Sequence, residues 1–517
     1  MLTLMYTSLY TYILRGSFSL RRKKKGSSVD GLSGSSFLRG QIERELHWLV
    51  GQENVDSSHE GRQAAAADWS WASRFFQLRK LEQPGPDFVV RPQSQEHVEK
   101  VVQCAYDYGL PIIPRGGGTG TQGGTLAPYG GIAMDLTSMN KIIDIDEESL
   151  VVTAQAGLAG PDLEKVLNER GLMLAHYPGA YNMGATLGGY VAARGSGVLS
   201  TKYGKAEELV MQAKVVVPPG KTIETLPVPL HATGPDLLQL FVGSEGTLGV
   251  MTELTFRLDP LPEKREFMSF TFPDVFAGIE AGRQVMVSRL RPSVLRLYDD
   301  YDSQKLADWV ETGVTGNLLI IMCDGASGLV DYEAAAIRDI CLRVGGTDRG
   351  SEVAEAWWNG RYEPFAPGKL PQPPMIYGTF DTVARFRDIP AIYRAKKEVT
   401  ETRFKKYGTR YSAHFSHWFP WGLMVYDRFY IDESPEDAGE AMRLHDALWD
   451  AGVEESLRHG GTVNEHHGIG LKLGRFMRPQ LGEAFNVLKS IREAIDPLGL
   501  MNPGKLGFGP PKSQPLP

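Results

Sequence analysis

Residues 114–125 read PRGGGTGTQGGT, the densest cluster of glycines in the chain. Glycines let a backbone approach a phosphate without an intervening Cβ, and successive N–H groups can then form a concave anion site. The stretch has no GKS or GKT of a Walker loop. Gly118, Gly120 and Gly123 have the spacing of a G-x-G-x-x-G motif, but the βαβ context with an acidic ribose-binding residue that a Rossmann site needs is missing. The loop therefore predicts a pyrophosphate site of another kind, in preference to a plain surface turn.

The residues before this loop predict a strand–helix–strand unit that leads directly into it. Asp87 to Val90 form a short apolar run, and Ser94 precedes apolar residues at helical spacing that end at Gly109. Pro111 to Pro114 then indicate a second short buried strand. A loop entered from a buried strand is held in place, as a binding site requires.

Two further clusters of small residues follow the glycine loop. Residues 184–204 contain ATLGGYVAARGSGVLSTKYG, and residues 243–250 read GSEGTLGV. Each cluster can bring backbone close to a ligand, and three of them on one side of the chain are hard to explain as turns alone. They predict one extended ligand that lies along several loops.

Composition excludes several classes of protein. The 517-residue chain has a formal charge of −7, so it has no basic excess and we expect no nucleic-acid partner. Its three cysteines include no C-x-x-C pair, which excludes a disulfide framework and a thiolate zinc site. A run of about 18 apolar residues, the signature of a membrane-spanning helix, is also missing.

The remaining pattern is typical of an α+β protein. Short strands dominate 131–258, Pro260 and Pro262 mark a boundary, and 266–455 alternates strands with long helices. A helical C-terminal segment ends in Asn502-Pro503-Gly504-Lys505.

Four of the eleven histidines fall in two short motifs. His414 and His417 belong to AHFSHW, and His466 and His467 belong to NEHHGIG, directly after Glu465. Neutral imidazoles suit both proton abstraction and metal ligation near neutral pH. A divalent metal on His414, His417 and Glu465 is disfavoured, because residues three apart on a strand face opposite sides. We therefore expect no metal there.

The order of these motifs resembles the vanillyl-alcohol oxidase family, whose FAD-binding domain is also called the PCMH-type domain. PRGGGTGTQGG, ATLGGYVAARGSGVLSTKYGK, GSEGTLGV and the C-terminal NPGKLG carry the resemblance. The resemblance implies an FAD cofactor, and the loop has no histidine that could attach it covalently, so we expect non-covalent FAD. It implies that FAD is bound by Pro114, Arg115, Gly116, Gly117, Gly118, Thr119, Gly120, Thr186, Gly189, Tyr190, Ala193, Ser196, Gly197, Glu245, Gly246, Thr247 and Val250.

The resemblance also implies the fold, an α+β chain with a PCMH-type FAD-binding domain and an α+β cap domain. We expect a disordered extension at 1–40, a helical lead-in at 41–82, the FAD-binding domain at 83–262 and the cap, or substrate, domain at 263–455. A C-terminal segment at 456–509 should return to the cofactor, and 510–517 should be an unstructured tail.

Two branches of the family compete. In the D-2-hydroxy acid (D-lactate or glycolate) dehydrogenase branch, EHHGIG resembles the Glu-His-Gly motif. His466 or His467 would then take the hydroxyl proton while a hydride leaves for flavin N5, and Arg296 would bind the carboxylate. In the branch of alkyldihydroxyacetonephosphate synthase, an enzyme of ether lipid synthesis, RPSVLRLYDD points to Arg296 for the phosphate. GLMVYDRFYI there points to Tyr426 for proton transfer.

Partners and location follow less directly from the sequence. We expect a small-molecule substrate, an electron acceptor that the sequence does not identify, and a homodimer. Residues 1–20 are rich in apolar and hydroxyl side chains, and the basic residues Arg21 to Lys25 follow them, which is the reverse of the order in a secretory signal. The extension can be read as a disordered segment, as a basic patch that contacts a membrane surface, or as an organellar transit peptide. The expected location is cytoplasmic, with membrane association and organellar import as the alternatives.

Overall fold

The computed structural model describes residues 30–309, 313–365, 369, 371–372 and 374–512. The basic N-terminal segment and the end of the predicted tail lie outside these residues. The first helix begins at Asp30, so residues 30–40, which we expected to lack regular structure, are helical. No helix in the described part of the chain is long and apolar enough to cross a membrane.

Nineteen strands and seventeen α-helices make up the described ranges. The strands are β1 Val55–Asp56, β2 Phe88–Val90, β3 Ile112–Arg115, β4 Ile132–Asp135, β5 Ile142–Asp146, β6 Val151–Gln155, β7 Leu172–Met173, β8 Val210–Val217, β9 Lys221–Glu224, β10 Val250–Arg257, β11 Asp259–Pro260, β12 Lys264–Phe272, β13 Val294–Tyr298, β14 Asn317–Gly325, β15 Thr347–Asp348, β16 Ile376–Arg385, β17 Arg410–Phe415, β18 Trp418–Phe419 and β19 Gly422–Ile431. The helices are Asp30–Val50, His59–Ala65, Trp71–Leu78, Gln95–Asp107, Gly160–Asn168, Leu187–Ala192, Ser200–Tyr203, Ala206–Leu209, Leu238–Phe241, Val275–Val287, Asp300–Trp309, Ser327–Arg343, Glu352–Gly360, Ile389–Arg403, Ala438–Arg458, Met477–Leu481 and Ala484–Ile495.

The strand–helix–strand unit before the glycine loop forms as predicted. The Gln95–Asp107 helix begins after Ser94, whose side chain accepts a hydrogen bond from the backbone N–H of His97. Its apolar face packs against the four-stranded sheet β1-β2-β4-β3, in which β4 pairs in parallel with both β2 and β3. Strand β3 therefore ends at Arg115, where the glycine loop starts.

Two large antiparallel sheets and the antiparallel strand pair β7-β11 form the rest of the framework. The five-stranded sheet β5-β6-β10-β8-β9 packs against the Leu187–Ala192 helix in one core. The larger sheet runs β15-β12-β14-β13-β17-β19-β16, and β18 pairs with β19. The Ala438–Arg458 helix and the Trp71–Leu78 helix share a hydrophobic core with this sheet. The Trp71–Leu78 helix, from the predicted lead-in, therefore packs on the large sheet.

Candidate active site

A cavity of about 710 Å³ extends from the glycine loop to the face of the large sheet. Its lining includes the glycine loop, parts of 177–198 and 245–251, side chains of β13, β16, β17 and β19, and the C-terminal residues His466 and His467. The three clusters of small residues therefore meet at one cavity, as their composition predicts.

Most of the residues predicted to bind the cofactor line this cavity. They are Pro114, Arg115, Gly116, Gly117, Gly118, Thr119, Gly120, Thr186, Gly189, Tyr190, Ala193, Ser196, Gly197, Glu245 and Gly246. Thr247 and Val250 are fully buried and lie away from the lining. The Thr247 hydroxyl donates to the carbonyl of Ser244 at 2.7 Å, and Val250 packs in the core, so both hold the fold of the segment.

Gly116 and Gly117 lie too close to the second cluster of small residues to carry side chains. A Cβ on Gly117 would lie 1.9 Å from the carbonyl oxygen of Gly184, and Gly118 has a φ of +65°. Such a cradle of bare backbone fits the pyrophosphate of a dinucleotide. Arg115 lines the cavity as well, but its guanidinium donates to the carbonyl of Ala67 at 3.0 Å and to Thr125. Arg115 therefore anchors the loop to the lead-in.

Residues near the end of the described chain contact the glycine loop. The side-chain amide of Asn502 donates to the carbonyls of Gly124, at 2.9 Å, and of Glu245, at 2.6 Å. The Glu245 carboxylate in turn accepts the N–H of Gly470 at 2.8 Å. One residue of the chain end thus ties two of the predicted cofactor loops together.

Arg296 lies in the cavity wall and its charge has no carboxylate partner among the described residues. Its Nε donates to the Tyr298 hydroxyl at 2.8 Å, and an Nη2 hydrogen faces Nε2 of His414 at 2.7 Å. Arginine cannot accept a hydrogen bond, so Nε2 of His414 is the unprotonated nitrogen. Burial and the nearby cations Arg296 and Arg428 hold the pKa of His414 well below its usual range. Both partners of Arg296 are therefore neutral.

Arg428, by contrast, is paired. Its Nη1 lies 2.6 Å from Oδ2 of Asp302, and both side chains line the cavity. Burial opposes ionisation of Asp302, but Arg428 and His414 hold its pKa below the usual range. Of these two cavity arginines, only Arg296 offers an uncompensated positive charge to a ligand.

Tyr426, His467 and Asp381 form a chain of polar contacts at the cavity wall. The Tyr426 hydroxyl lies 3.5 Å from Nε2 of His467, and Nδ1 of His467 lies 2.5 Å from Oδ1 of Asp381. The Tyr426 ring stacks on His414 at a centroid distance of 4.5 Å. Burial and the neighbouring His466 cation lower the pKa of His467, so its ring is neutral near pH 7. A neutral imidazole held by Asp381 has a free Nε2, which is the form that accepts a proton.

His466 lies on the other side of Asp381 and is charged. Its Nδ1 lies 3.2 Å from Oδ2 of Asp381 and 2.8 Å from Oε2 of Glu465. Burial opposes protonation, but the two carboxylates raise the pKa of His466 to about 9. The adjacent histidines thus differ in charge because only His466 faces two carboxylates.

The structure divides the three residues considered for a metal. His417 Nδ1 lies 2.9 Å from Oε2 of Glu465, whereas His414 lies at Arg296 and Asp302. His414 lies within β17, whereas His417 lies beyond the end of that strand. The two rings therefore do not share one face of a strand, and they have different partners. Within the described ranges, two groups of side chains have metal-compatible spacing: His417 with Glu465 and His466, and Asp381 with His466 and His467.

Sequence reasoning missed Asp381, Lys205, Asp302 and Arg428. Asp381 is fully buried in β16. An aspartate in the middle of a strand-like run of apolar residues is unusual, and this sequence signal could have identified it. Arg428 follows Tyr426 on the same face of β19, so strand alternation could have paired them. Nothing in the sequence places Lys205 or Asp302, because their partners are far away in the chain.

Comparison with known proteins identifies the two parts of the chain. Residues 86–226 match the model for an FAD binding domain, and residues 261–506 match that for the C-terminal domain of FAD linked oxidases. An alkyldihydroxyacetonephosphate synthase of Caenorhabditis elegans is 30% identical over 80% of this chain and 75% of its own length. A mitochondrial D-lactate dehydrogenase [cytochrome] of Arabidopsis thaliana is 30% identical over 81% of this chain and 73% of its own length.

A solved structure of alkyldihydroxyacetonephosphate synthase has the same fold, with a TM-score of 0.76 and 26% identity over 90% of this chain and 86% of that one. The predicted α+β fold with a PCMH-type FAD-binding domain is confirmed, and so is FAD as the cofactor. The bare-backbone cradle at Gly117 fits that cofactor. So does the Asn502 clasp, the pair of hydrogen bonds from the Asn502 amide to the carbonyls of Gly124 and Glu245. The chain belongs to the FAD-linked oxidases of the vanillyl-alcohol oxidase, or PCMH-type, family.

Proposed function

We propose that this enzyme oxidises a small D-2-hydroxy acid such as D-lactate or glycolate. The observation that carries the proposal is the pairing of an uncompensated guanidinium with a neutral imidazole in one cavity. Arg296 supplies the first and His467 the second. A 2-hydroxy acid offers a carboxylate to a cation and a hydroxyl proton to a base, on adjacent carbons.

Arg296 would bind the substrate carboxylate. Two of its N–H donors serve Tyr298 and His414, which leaves other donors of the planar fork for a bidentate contact. Trp357, with its ring centroid 5.5 Å from the guanidinium carbon, packs beside the same group. A charge-assisted pair of this kind contributes about 1.5–3 kcal/mol and fixes which substrate face meets the cofactor.

His467 would take the hydroxyl proton at Nε2. Asp381 holds the ring by its Nδ1–H, and the charged His466 keeps it neutral, so Nε2 is free to accept. Bound FAD supplies the acceptor for the hydride that leaves the carbon bearing this hydroxyl. Glycines 116–118, Glu245 and Asn502 contribute binding and orientation of the cofactor and no proton transfer.

A second function is favoured by one specific contact. Tyr426 lies beside His467 and stacks on His414, and burial raises its pKa further above neutrality, so it stays protonated. A protonated tyrosine in contact with a histidine suits proton delivery in an alkyldihydroxyacetonephosphate (alkylglycerone-phosphate) synthase, where Arg296 would bind the substrate phosphate. Synthases of this name are among the relatives of the chain at the same identity as the dehydrogenase.

An anaerobic reaction of the FAD-loaded enzyme separates the two functions. We expect D-lactate, glycolate or D-2-hydroxyglutarate to bleach the flavin absorbance near its long-wavelength maximum. L-lactate serves as the matched control and should leave the spectrum unchanged. No bleaching with any D-acid, together with turnover of an acyl-dihydroxyacetonephosphate and a fatty alcohol, would replace the first function by the second.

A further inference from the structure

The carboxylate of Glu465 is occupied by an ammonium group from a distant part of the chain. Lys205 Nζ lies 2.8 Å from Oε1 of Glu465, and it donates to the backbone carbonyl of the same residue at 2.9 Å. The Ser196 hydroxyl donates to Oε1 at 3.2 Å. The Glu465 side chain is 1% exposed and that of Lys205 is 8% exposed, so solvent screens this pair little.

The other oxygen of Glu465 holds two histidines. Oε2 lies 2.9 Å from Nδ1 of His417 and 2.8 Å from Nδ1 of His466. Lys205 precedes the Ala206–Leu209 helix in the FAD-binding part, whereas Glu465 belongs to the C-terminal part. The ammonium therefore sets where the carboxylate stands, and the carboxylate sets where both rings stand.

Counting charges shows that the cluster is already balanced. Its two buried carboxylates, Glu465 and Asp381, face two cations, Lys205 and His466. At the edge of the cluster, Glu207 lies 3.4 Å from both Lys205 and Arg194, so its charge is balanced by the additional cation Arg194. Although burial disfavours the charged form of Lys205, Glu465 and the nearby Glu207 keep its pKa raised. Buried charges are tolerated when they are paired in this way.

A divalent metal does not fit this balanced cluster. The nitrogens of His417 and His466 and a carboxylate oxygen of Glu465 are close enough together to share an ion. A metal at Oε2 would face the ammonium that lies 2.8 Å from the other oxygen of the same carboxylate. It would have to displace the proton from His466, and it would leave an excess of positive charge in a buried site. A metal binds only deprotonated histidine nitrogens, whereas the two carboxylates of this cluster stabilise the protonated form of His466.

We propose that Lys205 is an internal counter-cation that takes the place of a divalent metal at Glu465. It is a positioning residue: it orients Glu465, and through Glu465 it orients His417 and His466 next to His467. The enzyme should accordingly work without a divalent metal.

The first test uses the FAD-loaded wild type and needs no substrate. After purification without chelators, metal analysis by mass spectrometry should find well under one Zn, Mn, Fe or Co per flavin. After incubation with Zn²⁺ and desalting, that ratio should stay unchanged. One tightly held metal per flavin in either sample would overturn the proposal, whatever the enzyme oxidises.

The second test compares Lys205→Met with Lys205→Arg. Lys214→Met is the control, because Lys214 forms its ion pair with Glu253 on the five-stranded sheet. With a substrate that satisfies the proposed function, Lys205→Met should reduce its flavin about tenfold more slowly at unchanged flavin content. Lys205→Arg should recover most of that rate, and Lys214→Met should match the wild type.

Only Lys205→Met should gain a Zn²⁺ per flavin after the same incubation, because the charge of its Glu465 is no longer neutralised by an ammonium. Wild-type rate in Lys205→Met, or failure of the arginine to restore the rate lost there, would contradict the positioning role. If Lys205→Met does not retain FAD, the metal content of the wild type alone decides, since a metal found there overturns the proposal and its absence supports it.

Discussion

His467 directs Nε2 toward the hydroxyl of Tyr426, 3.5 Å away, while its other nitrogen is held by the buried carboxylate of Asp381. This contact joins β19 to the loop after Val463. The hydrogen bond from the Glu465 N–H to Asp381 joins the same loop to β16, the neighbouring strand on which Asp381 pairs with Tyr426. A distance at the outer limit of hydrogen bonding leaves the tyrosine able to exchange its partner for a substrate oxygen.

Replacing His467 by alanine should remove the base and leave the cofactor. We expect kcat/KM for the hydroxy acid to fall about 10²–10⁴-fold, with flavin content unchanged. Rapid-mixing measurements of anaerobic flavin reduction give the rate, and the absorbance ratio of flavin to protein gives the content. His459→Ala, a change at a half-exposed histidine at the end of a helix, is the control. Wild-type reduction by the His467 variant would exclude this histidine as the base.

Arg296→Ala should act mainly on substrate binding. Loss of a charge-assisted contact of about 1.5–3 kcal/mol corresponds to a rise in KM of about 10–100-fold. Arg296→Lys should recover part of this loss, because a lysine keeps the charge but lacks the planar fork. Arg410→Lys changes an exposed arginine paired with Asp432 and should have no effect. Steady-state kinetics over a range of substrate concentrations measure all three, and an unchanged KM in Arg296→Ala would remove the arginine from the binding site.

The pH profile of kcat/KM should have two limbs. His467 must be neutral, and burial with the His466 charge lowers its pKa below 6.5, so activity should fall only when the pH drops below that value. His466 should lose its proton near its pKa of about 9, which removes the positive charge beside Asp381 and lowers activity above that pH. His466→Gln should lack the alkaline limb and show its acid limb at higher pH, because His467 no longer faces a cation. A profile that is flat from pH 5 to 10 in the wild type would contradict both assignments.

Gly117→Ala should impair cofactor binding by distorting the loop. The new Cβ would fall 1.9 Å from the carbonyl oxygen of Gly184, a backbone atom that has no side-chain freedom to move aside. We expect protein with little FAD and a melting temperature that no longer rises when FAD is added. Gly328→Ala is the matched control, since nothing lies within 4 Å of its Cβ position and its φ is ordinary. Full flavin content in Gly117→Ala would show that the loop can open without cost.

The sequence was sufficient for the parts of the fold and site that depend on local residues. Glycine clusters and a capped helix are local signals, so the loop at 114–120 and the strands around it could be predicted, and the family resemblance is confirmed. Long-range partners leave no such signal. Asp381 supports His467 across 86 residues, and Lys205 reaches Glu465 across 260. The roles of the site residues, the domain limits, the homodimer and the electron acceptor stay predictions.

Asn502→Ala should weaken FAD binding, because two carbonyls of different loops lose a shared donor. Loss of such a buried contact costs about 1–3 kcal/mol, or roughly a five- to hundredfold weaker affinity. Fluorescence titration of the apoprotein with FAD measures the constant, and Asn486→Ala, which breaks an exposed bond to Glu483, is the comparison. Equal affinity in the two variants would show that the clasp contributes nothing.

The Asn502 clasp has a consequence for how the protein is made. The carbonyl of Gly124 and the amide that holds it are 378 residues apart, so a nascent chain exposes the entire glycine loop long before its clasp leaves the ribosome. FAD should therefore be retained firmly only after synthesis has passed Asn502. A chain terminated before that residue should be colourless and open to proteolysis.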